Sequence, residues 1–209
     1  DVFVSRRSAD GSRVCAVLAD GLGSGLQANV AASLTSTMAL EYITADVEIR
    51  RAAEMIMDAL PLCPERHISY STFTMLDAQA DGTVRLIEYG NPPALHLRGG
   101  EVLPIPRKPF TLPRWNGRTL AHATFGTQLH DRIVVCSDGI TQSGLGTLRF
   151  PFGWGSDHLE QHWRRNRTSP RATSPNGLCS AHSNTTAASP ATTSPAVCSI
   201  AAKRASCKS

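Results

Sequence analysis

Two aspartate-glycine pairs each close an apolar run, and acids presented that way can hold a cation. The first pair is Asp20-Gly21, at the end of Val14-Cys15-Ala16-Val17-Leu18-Ala19. That run carries no charge and reads as a buried strand. Gly21, Gly23 and Gly25 follow, so the backbone there can take conformations that a Cβ forbids. The second pair is Asp138-Gly139, at the end of Arg132-Ile-Val-Val-Cys-Ser. A single Asp-Gly pair is ordinarily a tight turn with an acid cap. Two strands that each deliver an aspartate at the tip can place both on one metal centre.

A glycine-rich strand-turn-helix also raises the possibility of a dinucleotide loop. G-x-G-x-x-G needs its third glycine three places after the second. Counted from Gly21 that place holds Leu26, and counted from Gly23 it holds Ala28. No Gly-Lys-Ser/Thr of a P-loop follows either. A carboxylate directly before the first glycine would repel a pyrophosphate, whereas it would bind a cation. From about Leu26 the pattern becomes helical. Val30, Leu34, Met38 and Tyr42 fall four apart on one apolar stripe, as in an amphipathic helix.

These motifs resemble the metal-dependent protein phosphatases of type 2C (the PPM family), most closely the bacterial SpoIIE-like branch. The resemblance is carried by Asp1-Val-Phe, Ala19-Asp20-Gly-Leu-Gly-Ser-Gly25, Tyr70-Ser-Thr-Phe-Thr-Met-Leu-Asp77, Tyr89-Gly-Asn-Pro-Pro-Ala-Leu-His-Leu-Arg98 and Ser137-Asp138-Gly-Ile140. They stand in the family's order over roughly residues 1 to 155. Asp1 matches the acid of an early Gly-Asp motif, here without its glycine. Many relatives carry a histidine where Asn91 stands, so Asn91 is given no catalytic role.

The rest of the chain must position these residues. At 209 residues the chain can bury one good core. It begins with Asp rather than Met and shows no charged-then-apolar leader, which reads as a piece of something longer or a late start. No apolar run approaches the roughly 20 residues of a membrane span. Asp10-Gly11 reads as a turn between strands Val2–Ser5 and Val14–Ala19. Asp46 to Leu60 reads as a helix with Val47, Ile49, Ala53, Ile56, Met57 and Leu60 on its apolar face, stopped by Pro61. Met55 and Met57 are read as core filler. Cys63 and His67 lack a second pair at ligand spacing and read as a surface loop. Ser71–Leu76 and Thr83–Tyr89 form a hairpin through Asp81-Gly82. Ala94–Arg98, Leu120–Phe125 and Ile133–Cys136 supply further strands. Hairpins following helices predict an α+β fold of two packed antiparallel sheets with helices outside. The resemblance implies the same α-β-β-α sandwich, as one domain over 1–160.

Residues 161–209 differ in kind. They hold seven Lys/Arg, nine Ser, six Thr, four Pro and nine Ala, with no Asp or Glu after Glu160. The formal charge of +4 therefore divides into −3 for 1–160 and +7 for 161–209. Such a composition suits a disordered, solvated tail. A nucleic-acid arm is a poorer fit, because the charges are dispersed and no aromatic follows Trp163. A third reading is a change of frame. The resemblance requires a helix, then Lys-Pro-x-Asp-Asp-Ile-Thr and a last core strand. With each codon started one base early, residues 189–198 permit Pro-Gly-Asp-Asp-Ile-Thr-Cys-Gly-Val, and 171–188 permit an amphipathic helix. On this reading the last strand is missing and 161–209 is out of frame, the break lying between about Gly155 and Arg171. The six cysteines build no disulfide framework, which fits a reducing cytoplasm.

The resemblance implies two Mg²⁺ or Mn²⁺ ions sharing a water that attacks phosphorus. Asp20 would bridge them, the Gly21 carbonyl would bind one and Asp138 the other, with Asp1 a water-mediated contact. Asp20 and Asp138 are thus the catalytic pair. The next carboxylate belongs to the Asp-Asp pair that this chain lacks, so the second ion should bind weakly. The implied function is a protein serine/threonine phosphatase acting on a phosphorylated bacterial regulatory protein, such as an anti-sigma-factor antagonist. The alternative is a pseudophosphatase that binds a partner without turnover. A Rossmann-type nucleotide domain is disfavoured by the glycine spacing.

Overall fold

A computed structural model describes residues 1–23, 25–60, 71–112, 118–165, 180–182 and 197–201. The loop with Cys63 and His67 lies outside the described residues. In chain order the elements begin with strands β1 (Val2–Arg7) and β2 (Arg13–Gly21), then helices α1 (Leu26–Thr44) and α2 (Ile49–Ala59). Strands β3 (Ser71–Gln79), β4 (Thr83–Tyr89), β5 (Leu95–Arg98), β6 (Glu101–Leu103), β7 (Lys108–Leu112), β8 (Arg118–Gly126) and β9 (Arg132–Cys136) follow. Helices α3 (Asp138–Thr141) and α4 (Gly155–Arg165) and strands β10 (Ser180–His182) and β11 (Val197–Ala201) complete the described chain.

The strands form two antiparallel sheets, ordered β1-β2-β3-β4-β8-β7 and β10-β11-β9-β5-β6. Period-two alternation along β2 explains how they stack. Cys15, Val17 and Ala19 join a core with α1 and α2 residues such as Ile43, Ile56 and Met57. Ala16 and Leu18 point the other way, into a second core with Ile133 and Val135 of β9. The central strand is therefore buried on both faces, which is why its sequence is uniformly apolar. The α-β-β-α order follows, with α1 and α2 over the first sheet and α4 against β6 of the second.

Two expectations need correction. The Val30–Leu34 stripe of α1 does not face the core: Val30 is 55% and Leu34 47% exposed, and Leu26 is 80% exposed. The buried face is Ala28, Ala32, Thr35, Ser36, Ala39, Leu40 and Ile43. Small residues let the helix lie close to β2. A Cβ on Gly21 would stand 1.9 Å from the Ala28 carbonyl oxygen. The last strand of the second sheet is not missing either. Val197–Ala201 runs antiparallel to β9, with Val197 opposite Cys136 and Ala201 opposite Arg132. Val, Cys and Ile in that segment carry the β-propensity needed to cover an open edge. Helix α4 spans residue 160.

Candidate metal centre

Alternation along β2 places the site. Residues 16 and 18 face the second sheet, so Asp20 continues that face at the strand's end, where the apolar layer stops. On β9, Ile133 and Val135 face the same layer, and the strand ends at Cys136, followed by buried Ser137 and then Asp138, the first residue of α3. Two strands from different sheets thus bring their terminal acids together. Asp20 and Asp138 approach within hydrogen-bonding reach. Partial burial pushes the Asp138 carboxyl above its ordinary range, and the charge of Asp20 and the hydrogen bond between them push it further. The Gly139 N–H and Gln142 oppose that shift. Gln142 Nε2 donates to Asp138 Oδ2 at 2.9 Å, which fixes one carboxylate oxygen.

Asp1 joins them. Ser137 Oγ donates to Asp1 Oδ2 at 2.8 Å, and the Asp1 nitrogen lies 3.6 Å from Asp20 Oδ1. Gly21 sits directly behind Asp20, pressed against α1, where no other side chain fits. Ser71 Oγ donates to the Asp20 carbonyl oxygen at 3.0 Å and secures the strand end from the neighbouring β3. All four residues singled out from the sequence therefore lie at one end of the sandwich.

This donor set is hard oxygen throughout, with two like charges at close range and a bare backbone beside them. It fits a divalent cation, which relieves the repulsion between the carboxylates. Among the described residues no group of three or more His, Cys, Asp or Glu is arranged to hold a metal ion. No Asp or Glu follows Glu160 in the sequence. Thiol chemistry has no place here. Burial pushes the Cys136 thiol up to about 12, aided by Glu88, and it stays protonated.

Sequence reasoning gave Asn91 no catalytic role and did not foresee its partners. Thr72 Oγ1 donates to Asn91 Oδ1 at 2.6 Å, and Asn91 Nδ2 donates to Thr74 Oγ1 at 3.1 Å. Thr72 is the cross-strand partner of Asp20. The only sequence signal was the Gly-Asn-Pro-Pro turn itself.

A family model described as Stage II sporulation protein E (SpoIIE) matches residues 10–187. Among solved structures, the RsbU and RsbW domains of a Mycobacterium tuberculosis protein superpose with TM-score 0.53 at 18% identity, over 68% of this chain and 41% of that one. The PP2C phosphatase domain of Bacillus subtilis SpoIIE, with a fragment of its regulatory domain, gives 0.56 at 18% identity, over 67% and 42%. RsbX in complex with magnesium gives 0.53 at 14% identity, over 94% and 84%. These likenesses show a shared fold. The chain spans about two fifths of the first two structures. No curated protein matches it.

Proposed function

The chain belongs to the SpoIIE family of PPM-type phosphatases, and on that premise we propose that it is a protein serine/threonine phosphatase using Mg²⁺ or Mn²⁺. The observation that carries this reading is the meeting of Asp20 and Asp138 from two different sheets. Their carboxylates and the Gly21 carbonyl would hold the cation. When bound, the metal would supply Lewis acidity toward the phosphoryl group and a lowered water pKa. The protein's own part is positioning. Gln142 holds one oxygen of Asp138, and Ser137 orients Asp1 toward the pair. The apolar layer beneath, ending at Leu18 and Val135, keeps the floor of the site dry and strengthens the charge interactions above it.

The substrate in this reading is a phosphoserine or phosphothreonine on a regulatory protein, with an anti-sigma-factor antagonist as the first choice and the cytoplasm as the compartment. The likeness to RsbU and RsbW domains supports a regulatory protein as substrate. No described helix is long and apolar enough to cross a membrane. The test is manganese-dependent phosphate release from a phosphoserine peptide, with Asp20→Asn as control. Equal turnover with and without Asp20, or in excess chelator, would sink the proposal.

A second reading has its own support. Among the described residues no group of three or more His, Cys, Asp or Glu is arranged to hold a metal ion, and no Asp or Glu follows Glu160. A catalytically impaired chain that binds its partner without turnover predicts peptide binding with no phosphate release. Restoring the Asp-Asp-Ile-Thr segment in the alternative frame should then restore turnover.

A further inference from the structure

We propose that Asn91 is a positioning residue for the metal-holding strand tip, an inference that rests on the phosphatase reading above. Leu18 and Asp20 of β2 stand opposite Thr74 and Thr72 of β3. Cross-strand partners point to the same face, so the two threonines lie along the same inter-sheet face as Asp20. The Asn91 amide spans both. Its oxygen accepts from Thr72 at 2.6 Å, and its nitrogen donates to Thr74 at 3.1 Å and to the Leu18 carbonyl at 3.4 Å. One side chain thus ties β2 and β3 together two residues below the aspartate.

The turn that carries Asn91 is held rigidly. Gly90 has φ +73, and a Cβ there would meet Thr72 Cγ2 at 2.5 Å, so the turn packs tightly on β3. Buried Glu88 accepts from the Ala94 N–H at 2.6 Å and from Arg107 Nε at 2.6 Å, closing the turn from outside. Arg107 Nη2 also donates to the Ala94 carbonyl at 2.7 Å. A clamped turn of this kind holds the amide where three partners from two strands converge. Groups that orient metal ligands from behind ordinarily change metal affinity by 10- to 100-fold when removed.

The test measures free Mn²⁺ by electron paramagnetic resonance as the full chain is titrated, without substrate. Asn91→Ala should weaken Mn²⁺ binding about tenfold. Phosphatase kcat should recover at saturating Mn²⁺, because the lesion lies in metal affinity. Thr74→Val removes only the hydroxyl that Asn91 donates to and keeps strand shape, so it should weaken binding in the same direction and decides the matter should Asn91→Ala fail to fold. If the unaltered chain binds Mn²⁺ and both variants bind it equally well, the positioning role is overturned while the phosphatase reading stands. If the unaltered chain binds no Mn²⁺, both fall.

Discussion

The aspartates of this protein come in two kinds, and their surroundings differ in sign. Asp77, 1% exposed in β3, accepts from Arg13 Nε at 2.7 Å and is reached by Arg85 at 3.4 Å. Asp131, 2% exposed just before β9, accepts from Arg98 Nη2 at 2.7 Å and the Gln128 N–H at 2.8 Å, and meets His96 Nε2 at 2.8 Å. Both are neutralised from within. Asp20 and Asp138 instead face one another, and among the described residues no arginine or lysine forms an ion pair with either. A protein that pairs its structural acids so closely with arginine side chains leaves these two with only the Asp1 amino nitrogen, 3.6 Å from Asp20 Oδ1, and with room for a cation from outside.

The comparison is broken most severely at Asp77. Its removal leaves Arg13, whose side chain is 19% exposed, with a charge that Asp46 at the surface only partly answers. Taking one partner from such a pair costs about 3–5 kcal/mol. Asp77→Ala should therefore shift the urea midpoint strongly while leaving metal affinity per folded molecule unchanged. A loss of Mn²⁺ binding with no loss of stability would erase the distinction between the two kinds of acid.

At the site the balance reverses. Asp20→Asn should lower kcat/KM by more than about 100-fold, or about 2.7 kcal/mol, since even groups behind a ligand are worth 10- to 100-fold. Its urea midpoint should barely move. Turnover assays and denaturation on the same preparation check both halves.

Between these extremes lies Asp131, which exposes its kind through pH. Burial pushes its carboxyl up, but the hydrogen bonds from Arg98, the Gln128 N–H and His96 outweigh that and hold it well below the usual range. Its folded pKa is thus below its unfolded one. The stability it gives is whole above the unfolded value of about 4 and drains as pH falls toward the folded value. Asp131→Asn should cost about 2 kcal/mol at neutral pH, with the deficit shrinking below about pH 4. A deficit that stays constant with pH would contradict this assignment.

Much of this arrangement was legible in the sequence, for physical reasons that also explain the failures. The two strand tips could be read because β2 and the second sheet's β9 are buried on both faces, so an acid ending the run stands out against it. The face of α1 could not. Its core side is built from Ala28, Ala32, Thr35, Ser36 and Ala39, because β2 comes too near for larger groups. Thr35 and Ser36 hide their polarity by donating to Ala31 and Ser33 carbonyls at 2.7 and 3.1 Å. The larger Val30 and Leu34, which a helical pattern assigns inward, are left outside. Strand β11 was missed because a Ser/Thr/Ala-rich context outweighed the short apolar run at 197–201. Asn91 was named but given no catalytic role, and its partners could not be read because they arrive from two strands far away in the chain.

The smallest effect sharpens the comparison most, because its sign is opposite to all the others. Asp138 is held above its ordinary pKa by burial and by Asp20. An acid whose folded pKa is raised keeps its proton longer in the native state, so it takes stability away as pH rises through that interval. Asp138→Asn removes the repulsion and should stabilise the metal-free chain at neutral pH by about 0.5 kcal/mol after solvent screening, raising Tm by about 1–2 °C. That gain should vanish in acid, where the native carboxyl is already protonated. Saturating Mn²⁺ should reverse the order, since only the unaltered chain gains stability from binding the ion. A melting series in chelator and in Mn²⁺ therefore tests both halves at once. If Asp138→Asn melts lower than the unaltered chain in chelator, Asp138 belongs with Asp77 and Asp131 as a structural acid, and the case for a cation between the two strand tips is lost.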